Sequence, residues 1–191
     1  MMIKTFLFSF FIGILVVPPV SAQIDHSKYF EVSTDDLTRW ESYTNFLNHT
    51  KLPPIQIADS IMNFAQIEYQ QEQFSKTREL CLVAKEYNPE LSSTYLLIGK
   101  TYVSSAKICQ EGDFHSIAED IIWVAIDEWE KVDSYSKDYL ESRKLIKRYS
   151  SFLPTEEKFR NYFGKRKLKE GDEYFVNCWV NRKTKVRFNP K

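Results

Sequence analysis

The sequence predicts a mainly α chain in which antiparallel helical hairpins stack as an α-α superhelix, closed by a small C-terminal β-hairpin. Three observations point there. Tyr95-x-x-Ile98-Gly99-x-x-Tyr102 is a helical segment with a glycine in its interior. Glycine costs roughly 1 kcal/mol against alanine in such a place and persists where a neighbouring helix must come close. Ile61, Phe64 and Ala65 stand 34 residues before Tyr95, Ile98 and Gly99, so the helical pattern recurs at a fixed step. Near the C-terminus the apolar period changes to two, with Tyr174, Val176, Cys178 and Val180 alternating with Phe175, Asn177 and Trp179.

The elements follow in order. Residues 1–22 have a basic start at Lys4, an apolar-to-small run from Phe6 to Val17 and the small-x-small pattern Val20-Ser21-Ala22 before Gln23. This predicts a secretory signal peptide, too short and too proline-terminated for a membrane span. Removing it leaves 169 residues, one domain's worth, with no integral span. The expected location is the periplasm, with secretion as the alternative. Gln23–Ser33 has no periodicity and is read as a lead-in to a helical domain covering 23–153.

Thr34-Asp35-Asp36 predicts a helix start, followed by Leu37, Trp40, Tyr43, Phe46 and Leu47 at helical spacing. Pro53-Pro54 ends that helix and opens the next, because proline suits a first turn and not an interior. The first repeat unit covers about 58–91. Its second helix is expected from Phe74 to Tyr87, with Thr77, Cys81 and Ala84 inward and Pro89 in the following turn. The second unit covers about 92–139, and its inward triplet is Ala125, Trp129 and Val132. Gly99 to Ala125 is 26 residues where about 12 is usual, so roughly 14 are inserted, near 107–120. Inserts of this kind fall in loops on one face, often the binding face.

A capping helix is expected over Ser136–Phe152, with an apolar stripe of Tyr135, Tyr139, Ile146, Tyr149 and Leu153 and no small-residue notch. Residues 154–191 should form a short helix capped by Thr155 and a basic β-hairpin packed on the helices. The ribbon's turn is placed at Asn181 to Lys183 or Thr184, with Lys185-Val186-Arg187-Phe188 returning. A lone two-stranded ribbon is marginal in water and must lie against the helices or be stapled there. Three cysteines in an exported chain suggest one bond and one spare thiol, and spacing does not select the pair. The inward position of Cys81 favours a buried thiol and leaves Cys109 with Cys178.

Together Tyr95-x-x-Ile98-Gly99-x-x-Tyr102, Ala65, Ala84 and Pro89 resemble the tetratricopeptide repeat (TPR) family over about Ala58–Val132. Thr77, Cys81 and Glu68 depart from the residues usual at their places in that repeat. The chain is also similar to a group of exported, uncharacterised TPR proteins of Bacteroidota. That likeness rests on Ala125-Ile126-Asp127-Glu128-Trp129 and on Gly171-x-x-Tyr174-x-Val176-x-Cys178-Trp179. The resemblance implies a helical scaffold in the envelope. It also makes Phe64, Ala65, Ala84, Pro89, Tyr95, Ile98, Gly99, Tyr102, Ala125 and Trp129 repeat-packing residues.

Formal charge is balanced overall but uneven along the chain. From Phe159 onward ten Lys and Arg face only Glu170, Asp172 and Glu173. Such asymmetry governs association rather than fold. Lys165-Arg166-Lys167-x-Lys169, with Tyr162, Phe163, Trp179 and Phe188, offers a surface for an anionic lipid headgroup or glycan, or a solvated patch complementing the acidic helical body. Export argues against nucleic acid. His26, His49 and His115 lack zinc-ligand spacing, and no cofactor or metal is expected. Cys109 with His115 is a conceivable nucleophile pair, but oxidation of the cysteine is the better reading. Glu119, Asp120, Asp127, Glu128 and Glu130 alternate with apolar residues as the wet face of a helix. No catalytic motif emerges. The expected function is therefore a non-enzymatic interaction module of the bacterial cell envelope whose repeat groove holds a protein or peptide. Binding of an anionic envelope component through the basic tail is the alternative.

Overall fold

The computed structural model describes residues 37–111, 118–163 and 168–189. The expected signal peptide and lead-in lie outside these, as do His26, His115 and the Lys165-Arg166-Lys167 cluster. The described chain is mainly helical, with eight helices and a two-stranded antiparallel sheet near the C-terminus.

Helix α1 (Leu37–His49) is stopped by the proline pair, and α2 (Pro54–Gln70) begins with proline in its first turn, where the missing amide leaves no helical bond unmade. Tyr43 is buried, and its ring lies 4.7 Å from Phe64 of α2, which also meets Phe46 at 5.7 Å. The chain reverses through Gln71–Gln73 without a glycine; Glu72 takes the left-handed conformation at φ 59°. Helix α3 (Phe74–Tyr87) then lies along α2, with Thr77, Cys81 and Ala84 fully buried. Pro89 sits exposed in the next turn. Helix α4 (Ser92–Ser104) packs on α3 and buries Ile98, Gly99 and Tyr102. Tyr95 is only partly buried: Lys85 donates to its hydroxyl at 2.7 Å.

Helix α6 (Ala118–Glu130) crosses α4 at Gly99. A Cβ there would lie 2.7 and 2.8 Å from Cε2 and Cδ1 of Trp129 and closer still to its Nε1. The buried indole donates from Nε1 to the Leu96 carbonyl at 3.3 Å, filling the notch that glycine leaves. Ala125 and Val132 are buried beside it, as the expected triplet requires.

Several expectations need correction. The insert is partly helical: α5 (Ala106–Glu111) follows directly on Ser105, whose hydroxyl donates to the Tyr102 carbonyl and closes α4. The capping helix α7 is shorter, Tyr139–Ser150, and Tyr135 stands 98% exposed before it because the chain there is a turn anchored by Asp133. A small residue does face inward on α7, since Ser142 is fully buried. Helix α8 (Glu156–Phe163) is capped as expected, the Thr155 hydroxyl accepting from the Lys158 amide at 3.2 Å.

The ribbon turns earlier than its apolar alternation suggests. Strand β1 (Glu173–Val176) pairs with β2 (Arg182–Lys185), in register Glu173 to Lys185 and Val176 to Arg182. Cys178, Trp179 and Val180 therefore belong to the connection, which reverses at Asn181 with φ 47°. They remain inward because this connection is the part that docks. Cys178 is bonded to Cys109, Trp179 donates to Ser105 Oγ at 3.1 Å, and Arg78 of α3 donates to the Val180 carbonyl at 2.9 Å. Phe188 beyond β2 packs edge-on to Phe159 of α8 at 5.5 Å.

Two outcomes are expected. Gly99→Ala gains helix propensity but overpacks against Trp129, so denaturant unfolding should show a net loss of about 1–3 kcal/mol. Shortening the partner in Gly99→Ala with Trp129→Phe should recover part of it. Replacing Cys109 and Cys178 together by Ser opens a bond joining residues 69 apart. It should lower stability by about 2–5 kcal/mol, with hydrogen exchange rising first in Glu173–Val176.

Candidate functional site

A groove of about 470 Å³ opens between α6 and the ribbon. One wall is Val124, Asp127 and Glu128 of α6, brought into line by spacings of three and four, with Lys131 just past the helix end. The other is β2 with its flanks, Arg182 to Lys185 and Arg187. The antiparallel register decides what β2 shows. Thr184 opposes buried Tyr174 and Arg182 opposes buried Val176, so both lie on the face turned to the helices. Lys183 and Lys185 oppose exposed Phe175 and Glu173 on the other face of the ribbon, and both also border the groove.

Arg187 closes one end. Its Nη2 lies 2.6 Å from Asp127 Oδ1 and 2.9 Å from Glu130 Oε2, while its own carbonyl accepts from Trp123 Nε1 at 2.9 Å. Lys131 pairs with Glu128 at 2.7 Å and Lys183 with Glu173 at 2.8 Å. Among the described residues, Arg182 and Lys185 have no carboxylate at ion-pair distance. Burial works against the charge of Arg182. The neighbouring Tyr102 hydroxyl and Glu128 carboxylate outweigh it and hold the guanidinium pKa above its ordinary value. Among the described residues the buried Thr184 hydroxyl has no hydrogen-bond partner.

The acids of α6 do not form the wet face expected of them. Asp120 is fully buried and accepts from the Tyr174 hydroxyl at 3.4 Å, and Glu128 is 4% exposed. Only Asp127 and Glu130 meet solvent in part or fully; the side chain of Glu119 lies outside the described set. The helix is buried nearly all round because α4, α7 and the ribbon surround it. Single-helix periodicity cannot anticipate the ribbon that covers these carboxylates.

The other candidates separate clearly. Cys109 is spent in the disulfide and is no nucleophile. Cys81 is the spare thiol, fully buried. His49 is exposed, its ring 2.9 Å from the Asn45 carbonyl. Among the described residues no three potential metal ligands come together, and no described helix is long and apolar enough to cross a membrane. Of the aromatics assigned to the basic tail, Trp179 is held under the Arg78 guanidinium at 5.1 Å and Phe188 is packed on Phe159, so both serve the docking of the tail. Arg78, Ser105, Arg182 and Thr184 carry no sequence signal, since their importance lies in what the ribbon brings to them. Comparison with protein-family models, with curated proteins and with solved structures finds no match to this chain.

Burial raises the Cys81 thiol pKa well above its ordinary 9.0, and burial with the Glu128 charge raises Tyr102 above 10.0. The folded chain thus keeps both protons to higher pH than the unfolded chain does. Stability is full below the unfolded values and falls as pH rises through them. Reversible urea unfolding should weaken above pH 9.0, by up to about 1.4 kcal/mol per pH unit for each group. Cys81→Ala should delay the onset to about 10.0.

Proposed function

We propose that the chain is a non-enzymatic, TPR-like interaction module of the bacterial envelope that holds a protein or peptide partner. Its binding surface includes the groove between α6 and the ribbon. The carrying observation is the groove itself, open and lined by both charge signs. A peptide backbone supplies carbonyls for Arg182, and its side chains supply a carboxylate for Lys185.

Support for the repeat reading comes from positions 34 apart. Ala65 and Gly99 are both buried where a helix passes closely, and Glu68 and Tyr102 are both fully buried. Glu68 departs from the aromatic usual in the repeat because Tyr43 of α1 donates to it at 2.6 Å, so the preceding helix completes that place. A disulfide is compatible with export. The anionic-component alternative loses ground because Lys183 and Arg187 are matched by carboxylates of the chain itself.

A photoreactive residue at Lys131 or Lys183 should crosslink one and the same envelope protein, and Lys185→Glu should weaken that product. A probe at exposed Gln66 on α2 should not yield it. Equal product from Gln66, or none from the groove positions, would remove the groove from the reading.

A further inference from the structure

Helix α7 turns Tyr139, Ser142, Leu145, Ile146 and Tyr149 inward; Tyr149 lies 5.2 Å from Trp129. The opposite side carries Leu140, Arg143, Lys144, Lys147, Arg148 and Ser151, all exposed. Leu140, at the centre of that side by helical spacing, is 71% exposed. Tyr135 and Phe152 stand exposed just beyond the two ends, at 98% and 59%.

The charge on this face is one-signed. The helix has a single acid, Glu141, and it is tied to Lys100 of α4 at 2.5 Å. Among the described residues, none of the four cations has an ion pair. Arg143 with Lys147 and Lys144 with Arg148 are four apart, and Lys144 with Lys147 three apart, so like charges face one another along the helix. Isolated in water, this arrangement repels itself and leaves a large apolar side chain wet. A flat anionic surface relieves both penalties at once.

We infer that the outer face of α7 docks on an anionic lipid surface, with Arg143, Lys144, Lys147 and Arg148 against headgroups and Leu140 entering the interface. The face is one convex helix, and the α6–ribbon groove does not border it. A bilayer accommodates such a convex basic face, with long cationic stems reaching along it and a tyrosine at headgroup depth. This surface is separate from the α6–ribbon groove, so either reading can fail alone.

The test uses the full chain with Leu140→Cys carrying an environment-sensitive fluorophore. The probe should brighten and shift blue with vesicles of phosphatidylglycerol and phosphatidylcholine in equal parts, and not with phosphatidylcholine alone. Raising ionic strength to about 1 M, where charges are screened within roughly 3 Å, should reverse the change. Lys144→Glu with Lys147→Glu should weaken sedimentation with anionic vesicles by about tenfold or more. A silent probe while the chain binds vesicles, or equal binding to neutral vesicles, overturns the proposal. So does an equal probe response to soluble polyglutamate, which would mark a surface for an acidic protein.

Discussion

The contact between Gly99 and the Trp129 ring is the constraint from which the rest of the packing follows. With no Cβ in the way, the indole enters the surface of α4 and reaches the Leu96 carbonyl. That fixes α6 close to α4, with Trp123 two turns earlier on the same helix. Trp123 in turn meets Phe159 of α8 at 5.7 Å, Tyr174 of β1 at 5.3 Å and the carbonyl of Arg187. Helical body and C-terminal segment thus share one core, ordered around two indoles on one helix. The closeness is what makes the site intolerant: an interior at crystal-like density has no slack to absorb even one methyl group.

The ribbon shows how a marginal element is held without a core of its own. Its strands are four residues each and its ladder is short. Three different contacts act on the connection instead of on the strands: a covalent bond to α5, the Arg78 guanidinium on two successive carbonyls, and the Trp179 hydrogen bond to Ser105. Docking the connection turns the inner face of β2 towards α6 and so creates the groove. The same geometry leaves the Thr184 hydroxyl buried without a partner among the described residues, while Arg182 gains Tyr102 and Glu128 as neighbours.

Charge is sorted by these placements rather than by composition. The balanced total conceals carboxylates of α6 neutralised across the groove by Arg187, and an α7 face where four cations have no such complement among the described residues. Cations in the first place serve internal docking and are poorly available to a ligand. Those in the second are exposed and repel one another, which is the condition under which an external anion gains most.

Local pattern settled much of the chain. Apolar spacing gave α3 to the residue and the proline pair gave the start of α2, because a helix start at proline and a three- or four-residue stripe are properties of a short segment. The glycine at position 99 announced a close neighbour, and the inward place of Cys81 left the disulfide that is observed. What one segment cannot encode went astray. The turn of the ribbon was placed too late because Cys178 and Val180 alternate like strand residues, yet their burial comes from Cys109, Arg78 and Ser105, distant in sequence. Asp120 and Glu128 looked solvated because a helix read alone has a wet side, and only the ribbon arriving from more than 50 residues away removes it. Sequence determined most of the helical segments and the apolar stripe along each; the tertiary structure decided which polar groups are buried, since that depends on what a remote segment places over them.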